Sequence, residues 1–372
     1  MSGRLKLRRG VVVSAKPLEV EIDGERRPAW ADEVLLGEMR EGDEVVVNTA
    51  ALDLDLGSGG FDVVHVNLTR GLEGGGEGDA HVMKLNYTSL QHPVDPVERP
   101  VPWFESSAGD DKGTTEQEKG ESGRVIPGIQ GKVTAIPIAV LPLHGHLAPT
   151  AWAAAQASPG LRVGYVQTGG GALPGSLSRD VKQLRERGLL AGHITAAPAY
   201  GGEYEALSMV GALDAAGELG WEAVLVGPGP GIIGSDTAFG HGGMAALDSA
   251  HAALSLGLPT LISPRLSASD LRERHRGLSH HTRTVLDLLL APVDVAVPEG
   301  EPEIHAALND AAAERHRLRP APFDSAGYAT SGLPTRTMGR DLEDDPLFFA
   351  APLAAGRILA DGSGRPAPSP SK

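Results

Sequence analysis

The 372-residue sequence contains no cysteine. Disulfides, thiolate nucleophiles and Cys-ligated zinc sites are therefore excluded. Positive charge is scarce: 33 lysines and arginines against 48 aspartates and glutamates leave a formal net charge of -15. A general affinity for nucleic acid or for an anionic membrane needs a cationic surface, so neither is expected as a partner. Long apolar runs are missing too. The most apolar stretch, VTAIPIAVLPL, is too short to span a bilayer and carries two prolines. The first residues, MSGRLKLRRGVVVSAKPLEVEID, have charges but no apolar signal-peptide core. These absences predict a soluble, cytoplasmic protein and leave a homo-oligomer open. Aromatic residues make up 4% of the chain, which singles out the adjacent pair Phe348 and Phe349.

The length suffices for two domains with at least one large core. Residues 1–103 are predicted to form a small antiparallel, barrel-like β-domain. Apolar residues there alternate at period two in VVVSAKPLEVEID, DEVVVNTAALDL, FDVVHVNL and HVMKLNY, with Gly, Asp and Asn at the breaks. Residues 104–124 lack periodicity and are dominated by Gly, Ser and charge, the composition of a flexible linker or insertion.

Residues 125–318 change character. Six strand candidates, VTAIPIAVLPL, LRVGYVQT, AGHITAAPA, EAVLVGPG, PTLISP and PVDVAVP, alternate with amphipathic segments. Several are apolar almost throughout, as parallel strands covered on both faces must be. The repetition predicts a mostly parallel, doubly wound α/β sheet, Rossmann-like in outline. Pro137 and Pro142 place the first strand as short or at an edge. Leu177, Val181 and Leu184 fall on one helical face behind Ser176 as N-cap, and His193 is placed before its strand. Residues 319–360 are expected to form a C-terminal segment whose helix docks through Phe348 and Phe349, and residues 361–372 a disordered tail.

In such sheets ligands bind beyond the carboxyl ends of the strands. The loop after the first strand holds His144 and His146, and the second carries Gly169, Gly170 and Gly171. The fourth is GPGPGIIGSDTAFGHGG, with Gly229, Gly231, Gly234, Asp236 and His241. The fifth contains Arg265 and then RERHRGLSHHT, with Arg272, Arg274, Arg276, His280 and His281. These loops gather six of the 13 histidines. Gly229, Gly231 and Gly234 match a dinucleotide-binding spacing, but Pro230 lacks an N–H and no ribose-binding acid follows the next strand. Backbone N–H groups of both glycine-rich loops suit an anion, and the same glycines equally suit tight turns. An H-x-H pair suits zinc, iron or manganese, with His241 or Asp236 as a third ligand. Ser279 is read as an N-cap, placing His280 and His281 in the first turn of a helix, His281 inward and His280 sideways. Cationic residues are disfavoured there by the helix dipole, so the imidazoles are neutral or face a bound anion. A phosphate or carboxylate would satisfy guanidinium geometry and dipole together; a solvated, salt-bridged loop is the alternative.

The stretches NTAALDLDLGSGGFDVVHV, HVMKLNYTSLQ, GPGIIGSDTAFGHGGM, RHRGLSHHT and TMGRDLEDDPLFFAAPLAAG resemble an uncharacterised bacterial family, common in actinobacteria and known as a domain of unknown function. The resemblance covers nearly the whole chain, with residues 105–124 as an insertion. It implies one joined architecture and assigns no reaction, cofactor or catalytic residue. Two classes remain. One is an enzyme acting on a phosphorylated or carboxylated small molecule, with His144, His146, His241, His280 or His281 as acid–base groups or ligands. Its binding groups would be Gly169, Gly170, Gly171, Gly229, Gly231, Arg265, Arg274 and Arg276. The other is a non-catalytic metabolite sensor or protein-interaction module.

Overall fold

The computed structural model describes residues 4–56, 59–72, 80–98, 123–125, 132–235 and 237–362. Five strands, β1 (Leu7–Ala15), β2 (Leu18–Ile22), β3 (Glu25–Trp30), β4 (Glu44–Asn48) and β5 (Asp62–Asn67), close into a barrel in the order β1-β2-β3-β5-β4. Its pairings are antiparallel except that of β3 with β5, which is parallel. The alternation read from the sequence supplies the core: Val12, Val20, Ile22, Val45, Val47 and Val64 are buried together. Gly10 allows β1 to lie close on β2, since a Cβ there would sit 2.5 Å from Val20 Cγ1.

The barrel ends earlier than residue 103. The hairpin Val82–Lys84/His92–Val94 packs on the α/β body. Buried Lys84 Nζ donates to the Thr195 and Ala199 carbonyls, both at 2.7 Å, and to Glu205 Oε2 at 2.5 Å. An ammonium is buried only where such acceptors converge. Residues 104–122 of the expected linker lie outside the described residues, and its last two belong to a strand, Gly123–Val125, paired with Lys132–Thr134.

The large sheet has eight strands, β6 (Ile138–Val140), β7 (Val163–Thr168), β8 (Gly192–Ala196), β9 (Tyr204–Ala206), β10 (Ala223–Pro228), β11 (Thr260–Ile262), β12 (Asp294–Pro298) and β13 (Arg317–Ala321). All its pairings are parallel, in the order β9-β8-β7-β10-β6-β11-β12-β13. Each of the six candidates is a strand. The two additional strands, β9 and β13, lie at the edges, where partial exposure removes the need for an apolar run. The first strand is short, as Pro137 and Pro142 imply, but central rather than peripheral; the prolines flank it and take no ladder position.

Alternate residues of each strand enter different cores. Ile138, Val140, Val224 and Val226 pack with α3 (Met209–Glu218), α4 (Ala245–Ser255), α5 (His280–Leu288) and α6 (Pro302–Ala312). Ala139, Leu141, Tyr165 and Leu225 pack with α1 (Leu147–Ala157), α2 (Arg179–Glu186) and α7 (Pro346–Gly362) on the opposite face. The sheet is thus doubly wound. Helix α7 docks through Phe348 and Phe349, each buried, and Gly356 brings it onto α1, where a Cβ would meet the Thr150 carbonyl at 2.3 Å. Asp361 and Gly362 of the expected tail end this helix, and residues 363–372 lie outside the described residues. The cap of α2 is Ser178, not Ser176: its Oγ accepts from Val181 N at 3.1 Å.

Candidate functional site

Strands β6 and β7 pass the chain to helices on one face of the sheet, and β10 and β11 pass it to the other. A crevice opens at their carboxyl ends. A cleft of about 910 Å³ occupies this edge. Its lining includes His144, Asp180, Gly231, Arg265, Asp270, Arg272, Arg274, His275, His281, Arg336 and Arg340. A second cleft, of about 520 Å³, lies at the amino ends of the strands, and no histidine lines it. Its Arg317 and Arg319 are both paired with Asp294. The cleft lined by histidines is therefore the one at the carboxyl edge.

The deepest cation is Arg265, only 2% exposed. Its Nη1 donates to His281 Nδ1 at 3.1 Å, and its Nη2 lies 3.4 Å from Asp270 Oδ2. Asp270 is also bound by Arg272 at 3.0 Å and approached by Arg340 at 3.5 Å. Although burial works against its charge, the hydrogen bonds of Arg272 and the field of Arg265 hold this carboxyl well below the usual range. Burial, then the neighbouring Arg272, pulls Arg265 down to about 10, so it stays cationic at neutral pH. Behind it, Asp345 accepts from Ser267 Oγ at 2.5 Å, Ala268 N at 2.7 Å and Arg340 Nε at 3.0 Å, tying the C-terminal segment to the loop after β11.

The histidines fall into two groups. Four surround the start of α5. Ser279 is its cap, accepting from His281 N at 3.2 Å, and its hydroxyl also bonds His275 Nδ1 at 2.7 Å. His281 is buried and stacked on His241, with centroids 3.6 Å apart and planes 8° from parallel, while His280 is half-buried beside both. Desolvation, with Arg265 adding to it, lowers His275 to about 3 and His281 to about 2; His241 and His280 are lowered as well, burial leading. Neutral rings remove the conflict with the helix dipole.

The second group lies under the other wall. His144 and His146 form a single 3-10 turn after β6. His144 Nδ1 lies 3.2 Å from the Pro228 carbonyl, to which it donates, leaving Nε2 to accept from Ser178 Oγ at 2.8 Å. Asp180 stands 3.8 Å from the same Nε2. His146 turns away from the cleft, bonding Ser263 Oγ at 2.9 Å with its ring against Phe348. His193 lies within β8 rather than before it, buried and stacked on Tyr165 at 5.3 Å.

Of the residues expected from sequence, the structure brings His144, Gly231, Arg265, Arg274 and His281 to one cleft. His241 and His280 join it through His281. Gly170, Gly171 and Gly229 instead zip the loops after β7 and β10 together, and Gly169 lies against Pro198 after β8. Ala172 N donates to the Pro230 carbonyl at 2.7 Å, and a Cβ on Gly171 would lie 2.1 Å from the Gly229 carbonyl. Arg276 donates to the Asp270 carbonyl at 2.8 Å, outside the lining. Asp236 lies outside the described residues. Sequence reasoning missed Asp180, Asp270, His275, Arg336 and Arg340 as site residues. His275 stood inside the basic stretch already singled out, whereas Arg336 and Arg340 arrive from a hairpin far along the chain.

The fold and site define a doubly wound α/β protein with an N-terminal barrel and a cationic, imidazole-walled cleft. The chain belongs to the family described as a protein of unknown function (DUF3866), whose model matches residues 29–356, from the third barrel strand into α7. No curated protein and no solved structure matches it. No helix among the described residues is long and apolar enough to cross a membrane.

Proposed function

We propose that the cleft binds a small phosphorylated or carboxylated molecule and that the protein is an enzyme acting on it. The observation that carries this reading is the local reversal of charge. Five arginines and two aspartates line the cleft of a chain whose net charge is -15. Guanidinium groups are suited to bidentate contacts with such anions. Beside them the neutral imidazoles supply proton-transfer groups. His144 accepts a hydrogen bond from the Ser178 hydroxyl at Nε2 while its other nitrogen is fixed on a carbonyl, and His281 is oriented by Arg265.

Calorimetric titration with inorganic phosphate, then with a panel of phosphorylated and carboxylated metabolites, tests the reading. Binding should weaken at high salt, because partly exposed charges are screened. Arg274→Ala should cost about 1.5–3 kcal/mol of binding, the value of a charge-assisted hydrogen bond. Its melting temperature should hardly move, since the side chain is exposed. Absence of saturable anion binding, or unchanged affinity in Arg274→Ala, would refute the site. Turnover lost in His144→Gln supports the enzyme. Binding without any turnover favours the sensor reading instead, with the barrel, which has its own core, as the partner-contacting part.

A further inference from the structure

Beside His281, two imidazoles behind the arginine face, His241 and His280, have nitrogens that the anion reading leaves unused. His241 Nε2 lies 3.0 Å from the Ala238 carbonyl, to which it donates, so its Nδ1 carries the lone pair. That Nδ1 is buried and has no hydrogen-bond partner among the described residues, and the same is true of His280 Nε2. Leaving buried polar atoms unpaired costs free energy, which a ligand would recover. One nitrogen each of His241, His280 and His281 lies within 4.8 Å of the other two. The space beside them exists because residue 243 has no side chain: a Cβ on Gly243 would stand 3.0 Å from His241 Nδ1 and 3.1 Å from His281 Nδ1.

We propose that His241, His280 and His281 form a binding site for a divalent first-row transition metal of the zinc class. Three neutral imidazole nitrogens suit such an ion, whereas calcium and magnesium require the oxygen donors this set lacks. Three protein ligands with a fourth position open is the pattern of reactive rather than purely structural zinc. The Ala238 carbonyl supplies the outer hydrogen bond that fixes the His241 tautomer. Ligand nitrogens around a tetrahedral ion lie roughly 3.4 Å apart with each lone pair aimed at the ion, so on binding the His241 and His281 rings, stacked 8° from parallel, would rotate out of their stack as well as draw in. The competitor is Arg265, whose Nη1 now takes the His281 Nδ1 lone pair. Metal entry displaces it toward Asp270, whose Oδ2 is already 3.4 Å from Nη2.

This site does not require that the cleft bind an anion, and the metal alone is the probe, so the two readings fail separately. Tag-free full-length protein, stripped with chelator, is titrated with zinc by calorimetry and with cobalt by visible absorption. The expected result is one equivalent bound, with cobalt bands characteristic of nitrogen coordination. His280→Ala removes a ligand, and Gly243→Ala fills the space while keeping all three rings. Each should weaken zinc by about tenfold or more while retaining the wild-type circular dichroism spectrum. No saturable site in the folded wild-type protein, or wild-type affinity in either folded variant, overturns the proposal.

Discussion

Burial, more than charge pairing, sets the state of the histidines around the cleft. His146 is fully buried and His193 is 4% exposed; desolvation, aided by Arg265 for the first and by His144 for the second, lowers each to about 3. In the unfolded chain both return to about 6.5. A folded-state value below the unfolded one means that the unfolded state gains more protons as pH falls. Stability is therefore full above pH 6.5 and is lost progressively as pH drops from there toward 3. Between pH 7.5 and 5.5 each of these rings should cost on the order of 1 kcal/mol. Urea unfolding across that interval measures the loss, and the double replacement His146→Gln, His193→Gln should flatten it by about 2 kcal/mol. A wild-type stability independent of pH over this range would contradict the burial argument.

Single elements carry their own dependence. The start of α5 relies on Ser279, which caps the helix through His281 N and at the same time holds the buried His275 ring. Ser279→Ala should therefore cost about 1–2 kcal/mol for the cap, read by urea unfolding. Phosphate affinity should also fall, because His275 lines the cleft. A loss of stability with unchanged phosphate binding would confine Ser279 to a structural role. In α7, Phe348 lies against His146 and Phe349 with 0% exposure. Phe348→Ala should cost about 3–5 kcal/mol, the usual effect of emptying an aromatic site in a core. A loss below about 1 kcal/mol, measured the same way, would mean that the helix is not an essential part of the sheet's covering.

For the whole molecule, the barrel and the α/β body have separate cores. Among the described residues, none of the barrel enters either cluster that flanks the eight-stranded sheet. The hairpin containing Lys84 is different, since its ammonium donates to β8, β9 and the turn between them. A chain beginning at Ala80 should therefore keep cooperative thermal unfolding and the α/β circular dichroism signature, whereas one beginning at Val94 should not. If the Ala80 truncation lost cooperative unfolding, the barrel would have to be counted as part of the same folding unit.

Much of this architecture was legible before any coordinates. Period-two alternation set four of the five barrel strands, missing β3 and adding HVMKLNY, which lies outside the barrel, and near-continuous apolar runs set six of the eight sheet strands, because burial on one face or on two leaves different patterns along a chain. The Ser279 cap, the inward His281 and the docking of Phe348 with Phe349 were local consequences of helical spacing. Other features depended on residues far apart in sequence. Edge strands β9 and β13 pair through backbone groups that any side chain can accompany. The central place of β6 follows from the order in which strands dock, which its two flanking prolines do not record. The four-residue gathering of His241, His275, His280 and His281, the aspartate that balances Arg265, and the arginines delivered by the late hairpin exist only after the crossovers have closed. Sequence determined which groups were available and which apolar faces would be buried; tertiary structure decided which polar groups are buried with them and which meet, because a contact between distant residues is a property of the packed chain and not of any segment within it.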